Sequence, residues 1–391
     1  MNIGLFSDTY LPEINGVATS VSILANELKA LGHRVYVVTT NPYSNTIDFN
    51  DDILRIPGIE LKQLYGYRLT SIYSFSAAKI IRKWNLDVIH AHTEYGIGIF
   101  AKLLAARLKL PLVYTYHTMI EDYTYYITKG AFDYTAKKMA GEISRFYGDT
   151  CTELISPSNK TKLALRRYGV EKYINVVPTG INITRFKPSN FTQEELLNLR
   201  TELGLNKDDF IFLSLGRVAK EKYIDVVIRG FDNLVNEDPT KPYKLVIVGI
   251  GPALDELKEL ATTLKSKDKI LFVGRVEQSD VPIYYNMSDV FCSASITETQ
   301  GLTFIEAMAA SLPVLARYDQ NLEETLVDGK TGYYFTSELD FKDKATVLAN
   351  LDEKRLNDMR TFCLNKARDF SSEIFGLRIL EVYKRAIRKK W

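Results

Sequence analysis

The sequence predicts an α/β protein built from two doubly wound domains. Three observations carry this. The 391 residues suit about two domains of roughly 100–200 residues each. Short apolar runs alternate with helical patterns from the first residues onward. The alternation stops at a stretch punctuated by Pro178, Gly180 and Pro188, and begins again at Phe210.

The opening run Ile3–Ser7 reads as a buried strand. A loop with Pro12 and Gly16 follows it. Val17, Val21, Leu24, Ala25, Leu28 and Leu31 then recur at spacings of three and four, which is one face of a helix. Gly32 ends that helix, and Val35–Thr39 is the next strand. Such a β-loop-α-β unit starts an open parallel sheet. Asp87–His92, Leu112–Tyr116, Leu154–Pro157 and Ile174–Pro178 continue it, with a helix around Gly98–Leu108. The second half runs strand Phe210–Gly216, helix Ile224–Val235, strand Lys244–Val248 and helix Leu254–Leu264. Strand Ile270–Val273, helix Val281–Met287, strand Asp289–Ser293 and helix Phe304–Ala310 complete it. The domains are expected at 1–185 and 186–373. An amphipathic helix within 374–391 could touch a membrane, but is expected rather to pack on the protein. Doubly wound sheets bind ligands beyond the carboxyl ends of their strands.

Composition narrows the class. Hydrophobic residues at 46% and charged residues at 25% describe an ordinary globular chain. Cys151, Cys292 and Cys363 are odd in number and far apart, so neither a disulfide framework nor a zinc spacing is expected. The start MNIGLFSDTY lacks a signal-peptide pattern, and no run of about 18 apolar residues exists to span a bilayer. The expected location is therefore cytoplasmic. The net charge of +2 divides into +5 over residues 1–185 and −3 over the rest. A basic half suits an anionic surface, although an excess this small is also ordinary variation.

Four segments carry candidate chemistry. Gly216-Arg217-Val218-Ala219-Lys220-Glu221-Lys222 lies between a strand and a helix. Arg217 and Lys222 beside a helix start suit a diphosphate, or they are solvated cations of a surface loop. In Glu298-Thr299-Gln300-Gly301-Leu302-Thr303-Phe304-Ile305-Glu306, Gly301 permits close backbone approach. The amides of Leu302 and Thr303 could meet a phosphate. Glu298 could accept from sugar hydroxyls and Glu306 from a ribose diol. Thr303-x-x-Glu306 is also a capping box, which would occupy Glu306 with its own helix start. His117, at a strand end in Tyr114-Thr115-Tyr116-His117-Thr118, is a possible hydrogen-bond or acid/base group. Gly16, in Asn15-Gly16-Val17, could admit a phosphate or sugar. No Gly-x-Gly-x-x-Gly stands at that turn, which argues against a dinucleotide fingerprint. His90 and His92 alternate on a strand, but no cluster completes a metal site, and an Asp-x-Asp pair is absent.

In this order these pieces resemble retaining glycosyltransferases of the GT-B fold, the large family 4. The resemblance covers nearly the whole chain. It runs through Asn15-Gly16-Val17, Tyr116-His117-Thr118, Pro178-Thr179-Gly180-Ile181, Gly216-Arg217 with Lys222, Gly274-Arg275-Val276, and the Glu-x7-Glu element from Glu298 to Glu306. It implies a nucleotide-sugar donor and no metal or other cofactor. Arg217 and Lys222 would bind the diphosphate and stabilise the leaving charge. Gly16 and the amides of Leu302 and Thr303, with Gly301 beside them, would line the same phosphates. Glu298 would hold the sugar, Glu306 the ribose and the backbone near Val276 the base. His117 would contact the sugar near the reacting carbon. The resemblance also implies retention, giving an α-linkage.

Two stretches look like bacterial diacylglycerol glucosyltransferases: His117 to Tyr123 with Tyr125 and Tyr126, and Glu298 to Leu302. That implies UDP-glucose as donor, the 3-hydroxyl of diacylglycerol as acceptor, and peripheral binding to the cytoplasmic face of a membrane. Leu61–Trp84 offers a device for this, with aromatics among Lys62, Arg68, Lys79, Arg82 and Lys83. A buried helix with solvated Arg82 and Lys83 explains the same pattern. Other readings are a transferase for a soluble or polymeric glycan, a nucleotide-sugar epimerase, and a silent nucleotide-sugar-binding module. Nucleic acid is not an expected partner.

Overall fold

A computed structural model describes residues 1–13, 15–60, 68–117, 133–296 and 300–389. The chain forms two units, Met1–Gly180 with Ser372–Trp391, and Ile181–Ser371. The second unit begins earlier than the 186 read from the sequence. The cause is backbone pairing: the Ile181 amide donates to the Phe370 carbonyl at 2.9 Å, and Ile181 bridges Ser371.

In the first unit the strand order is β3-β4-β2-β1-β6-β7-β8-β9, with β5 on β4. These strands are β1 Asn2–Phe6, β2 Arg34–Asn41, β3 Asp48–Asn50, β4 Ile53–Glu60 and β5 Arg68–Thr70, then β6 Val88–Ala91, β7 Leu112–Thr115, β8 Glu153–Ser156 and β9 Ile174–Val176. All pairings are parallel except β3–β4 and β4–β5. The central strands are near-continuous apolar runs because helices cover both faces.

Helix α1, Gly16–Ala30, opens on Asn15, whose side chain accepts from the Ala18 amide at 2.9 Å. Its buried stripe of Val21, Leu24, Ala25 and Leu28 shares one core with Ile3 and Leu5 of β1. The final helix, Ser372–Lys389, adds Phe375, Ile379, Leu380, Val382, Tyr383 and Ala386 to that core. Its apolar face is thus covered by the first unit, as the amphipathic pattern predicts. The opposite sheet face carries helices α2, Phe75–Ile81, and α3, Gly96–Leu108.

The stretch 61–84 divides. Residues 61–67 lie outside the described residues. Ile81 and Trp84 are core, and Trp84 stacks flat on Tyr36 with ring centres 4.4 Å apart. Ile72 and Phe75 are exposed, as are Lys79, Arg82 and Lys83.

The second unit is a wholly parallel sheet of order β12-β11-β10-β13-β14-β15. Its strands are β10 Phe210–Leu215, β11 Tyr243–Val248, β12 Ile270–Gly274, β13 Val290–Ser293, β14 Val314–Arg317 and β15 Gly332–Phe335. Helices Ile224–Glu237 and Glu338–Ala349 cover one face around Phe212, Phe231 and Phe341. Helix Leu302–Ala309 covers the other with Phe304, Ile305 and Met308.

Candidate active site

Each strand order reverses once. In the first sheet the chain winds outward in opposite directions from β1 and β6. In the second it does so from β10 and β13. Loops leaving such a pair of strands diverge and open a crevice at their carboxyl ends. Gly16 follows β1, and His117 follows β7, which pairs with the far side of β6. Gly216, Arg217 and Lys222 follow β10, and Gly301 follows β13.

Buried polar groups gather at the carboxyl ends of β1 and β6. Ser7, Asp8 and Thr9 leave β1, and His92, Thr93 and Glu94 leave β6. The Asp8 carboxylate takes the Thr93 hydroxyl at 2.6 Å and the Ile97 amide at 2.9 Å. Helix α3 has no capping side chain at Tyr95, so Asp8 satisfies its first turn from another strand. Burial raises the Asp8 pKa, against these hydrogen bonds. The Glu94 carboxylate accepts from the Tyr114 hydroxyl, and burial pushes its pKa up to about 7.

Three histidines meet at the ends of β6 and β7. His90 is buried between the Tyr383 hydroxyl at Nδ1 and the Thr115 hydroxyl at Nε2, both at 2.7 Å. His92 lies against the His90 ring, with centres 3.9 Å apart, and its Nδ1 is 3.0 Å from His117 Nε2. Burial pulls His117 down to about 4 and His90 and His92 well below the usual imidazole range. All three rings are therefore neutral at pH 7. His117 offers one donor and one acceptor, not a cation. Among the described residues, no three His, Cys, Asp or Glu side chains gather as metal ligands.

Gly16 is the first residue of α1, exposed, and a Cβ built there meets nothing within 4 Å. The protein's own packing does not require the missing side chain.

The second unit brings most of its sequence-read residues to the carboxyl edge of its sheet. Gly216 (φ +145°) and Gly249 (φ +135°) follow β10 and β11, and Gly274 (φ +85°) ends the adjacent β12. A Cβ on Gly249 would lie 1.9 Å from the Gly216 carbonyl oxygen, and one on Gly251 would lie 2.1 Å from that of Val218. Backbone therefore packs on backbone beneath Arg217, which is exposed and pairs with Glu221 at 3.7 Å. Lys222 is half-buried, just before helix Ile224–Glu237, whose N-cap Tyr223 gives no side-chain cap. Val276 is half-buried and packs on the core beneath β12.

The capping box at Thr303 does not form. The helix begins at Leu302 and its N-cap is Gly301, held at φ +73°. Thr303 is already inside the first turn, where its side chain cannot reach back to a capping position. Glu306 is released from that duty. Its Oε2 instead accepts from the buried Tyr285 hydroxyl at 2.9 Å. Burial lifts its pKa to about 7, opposed by Tyr285 and by the charge of Arg185. Leu302 and Thr303 are half-buried and supply the first-turn amides. Glu298 lies outside the described residues.

Sequence reading missed several of these groups. Gly249-Ile250-Gly251-Pro252 carried a usable signal, two glycines directly after an apolar strand. Tyr285, Arg185, Asp8 and the pairing of His92 with His117 carried none, because each depends on contacts distant in sequence.

Residues 197–370 match the family model described as glycosyl transferases group 1, and residues 14–185 match glycosyltransferase family 4. An α-monoglucosyldiacylglycerol synthase of Acholeplasma laidlawii is 38% identical over 86% of this chain and 85% of its own length. One from Streptococcus pneumoniae is 34% identical over 99% and 86%. The chain belongs to these family 4 glycosyltransferases. A solved structure of Anabaena Alr3699/HepE in complex with UDP and glucose shares the fold of this glycosyltransferase. Its TM-score is 0.75 at 16% identity, covering 98% of this chain and all of that one. The fold is GT-B, and the chain is a sugar-transferring enzyme. No helix among the described residues is long and apolar enough to cross a membrane.

Proposed function

We propose that this glycosyltransferase moves glucose from UDP-glucose to the 3-hydroxyl of diacylglycerol, forming an α-linkage with retention. The identity to α-monoglucosyldiacylglycerol synthases along most of both chains carries this reading. In it, Arg217 and Lys222 neutralise the donor diphosphate, so that no metal is needed. Glu306 accepts from the ribose, and the backbone near Val276 meets the base. Gly16, Gly301 and the amides of Leu302 and Thr303 approach the phosphates, while Glu298 and His117 hold the sugar. The bond from the anomeric carbon to the phosphate oxygen breaks as the acceptor oxygen bonds on the same face. The departing phosphate oxygen takes the acceptor proton, so no covalent nucleophile is required.

The acceptor is a lipid, so the enzyme works at a bilayer surface, on its cytoplasmic face. Exposed Ile72 and Phe75 beside exposed Lys79, Arg82 and Lys83 support that reading. The test is UDP release from UDP-glucose with and without vesicles containing diacylglycerol. Stimulation by diacylglycerol, with vesicle binding weakened by salt, is the expected result. Turnover indifferent to diacylglycerol would overturn the acceptor.

A further inference from the structure

His92 and His117 leave neighbouring strands and face each other through one nitrogen each, at 3.0 Å. Both rings are neutral, so one proton lies between them, on one ring or the other. The rest of the His92 ring decides which. His92 is 2% exposed, and its Nε2 is buried with no hydrogen-bond partner among the described residues. If His117 donated, the His92 proton would move to Nε2 and become a buried N–H with no acceptor. If His92 donates, Nε2 keeps only a lone pair. Buried orphaned N–H groups are rare in folded proteins, and under-satisfied acceptors less so. The choice therefore falls on His92 as donor. His90 holds the arrangement from behind. Its own nitrogens are both occupied, by Tyr383 and Thr115, and its ring lies against that of His92.

We propose that His92 is a positioning residue for His117: its Nδ1–H donates to His117 Nε2 and fixes the His117 proton on Nδ1. His117 Nδ1 makes no hydrogen bond among the described residues, so its N–H is the donor left for a ligand. The inference rests on the proposed role of His117 at the donor sugar. A sugar hydroxyl or ring oxygen near the reacting carbon then meets a fixed N–H donor rather than a lone pair. A neutral donor held this way also needs no reorganisation as the transition state forms.

The test is nitrogen-15 NMR of histidine-labelled enzyme, with His92→Leu, His92→Asn and His117→Ala as companions. In the wild type, His117 Nδ1 should report as protonated and Nε2 as bare, and His92 the reverse of the orphaned-donor arrangement. His92→Leu should release the His117 tautomer and lower kcat about tenfold or more, with a smaller change in KM. His92→Asn, whose amide nitrogen stands where Nδ1 stood, should restore most of both signals. A wild-type His117 protonated on Nε2 overturns the proposal, and so does a His92→Leu enzyme with unchanged tautomer and turnover. Full activity of His117→Ala would instead remove the sugar-contact reading while leaving the tautomer assignment standing. The wild-type spectrum is decisive even if the leucine variant fails to fold.

Discussion

The Tyr285 hydroxyl donates to Glu306 Oε2 at 2.9 Å from a wholly buried ring. One carboxylate oxygen is thereby held by the protein, and in the proposed donor site the other would accept from the ribose. Tyr285→Phe removes that hold without changing the packing volume. A net hydrogen bond of about 1 kcal/mol corresponds to a KM for UDP-sugar roughly fivefold higher, with kcat nearly unchanged. Because Glu306 titrates near 7, KM should also rise as pH falls below about 7, where the carboxyl is protonated and loses an acceptor. Steady-state kinetics across pH 5.5–8.5 check both expectations, and a pH-independent KM would remove Glu306 from the donor site.

Gly16 and Gly301 should respond oppositely to alanine. At Gly301 the backbone sits at φ +73° and a Cβ would come within 2.6 Å of the Phe304 ring. Gly301→Ala should cost about 1–3 kcal/mol of stability and misplace the amides of Leu302 and Thr303. Gly16 has open space and begins a helix, so Gly16→Ala should change stability by less than about 0.5 kcal/mol. Its loss should appear only in turnover and UDP affinity. Thermal melts beside UDP titration separate the two, and a Gly16→Ala enzyme with wild-type kinetics would show that nothing approaches there.

Much of this was legible in the sequence, and the failures have physical causes. Buried parallel strands such as Phe210–Leu215 are plain apolar runs, so the doubly wound class could be read directly. The same apolar runs put Gly301 and Leu302 at a strand-to-helix turn. The mixed polar sequence of helix Asp133–Thr150 shows no plain apolar face, and β3, β4, β5, β14 and β15 go unmarked by the apolar runs that identify the other strands. The Thr303–Glu306 spacing fits a capping box, but spacing does not say where a helix begins. Gly301 at positive φ moved the start forward. The aromatic-basic stretch ending at Trp84 mixed a core residue with exposed ones, since Trp84 is claimed by Tyr36 across the sheet.

Lys222→Ala should leave the fold intact, because Lys222 is half-buried in a short turn outside the core. If it carries the leaving charge, turnover should fall about 10²–10³-fold, the size expected for one lost electrostatic group. Circular dichroism and UDP release on the same preparation decide this. Wild-type turnover would take Lys222 out of the mechanism.

Glu94 gives the clearest dependence of stability on pH. Burial lifts its pKa from 4.5 to about 7, so the folded state holds a proton that the unfolded state releases near pH 4.5. A carboxyl raised in this direction contributes fully below pH 4.5, and its contribution is lost as pH rises through about 7. Glu94→Gln fixes the side chain in its uncharged form, and the Tyr114 hydroxyl can still donate to its amide oxygen. The variant should therefore match the wild type near pH 4.5 and exceed it above pH 7 by on the order of 1–3 kcal/mol. Melting curves at pH 5 and pH 8.5 test the sign: a stability difference that stays flat, or grows toward acid, would mean that Glu94 is already ionised in the folded enzyme at pH 5.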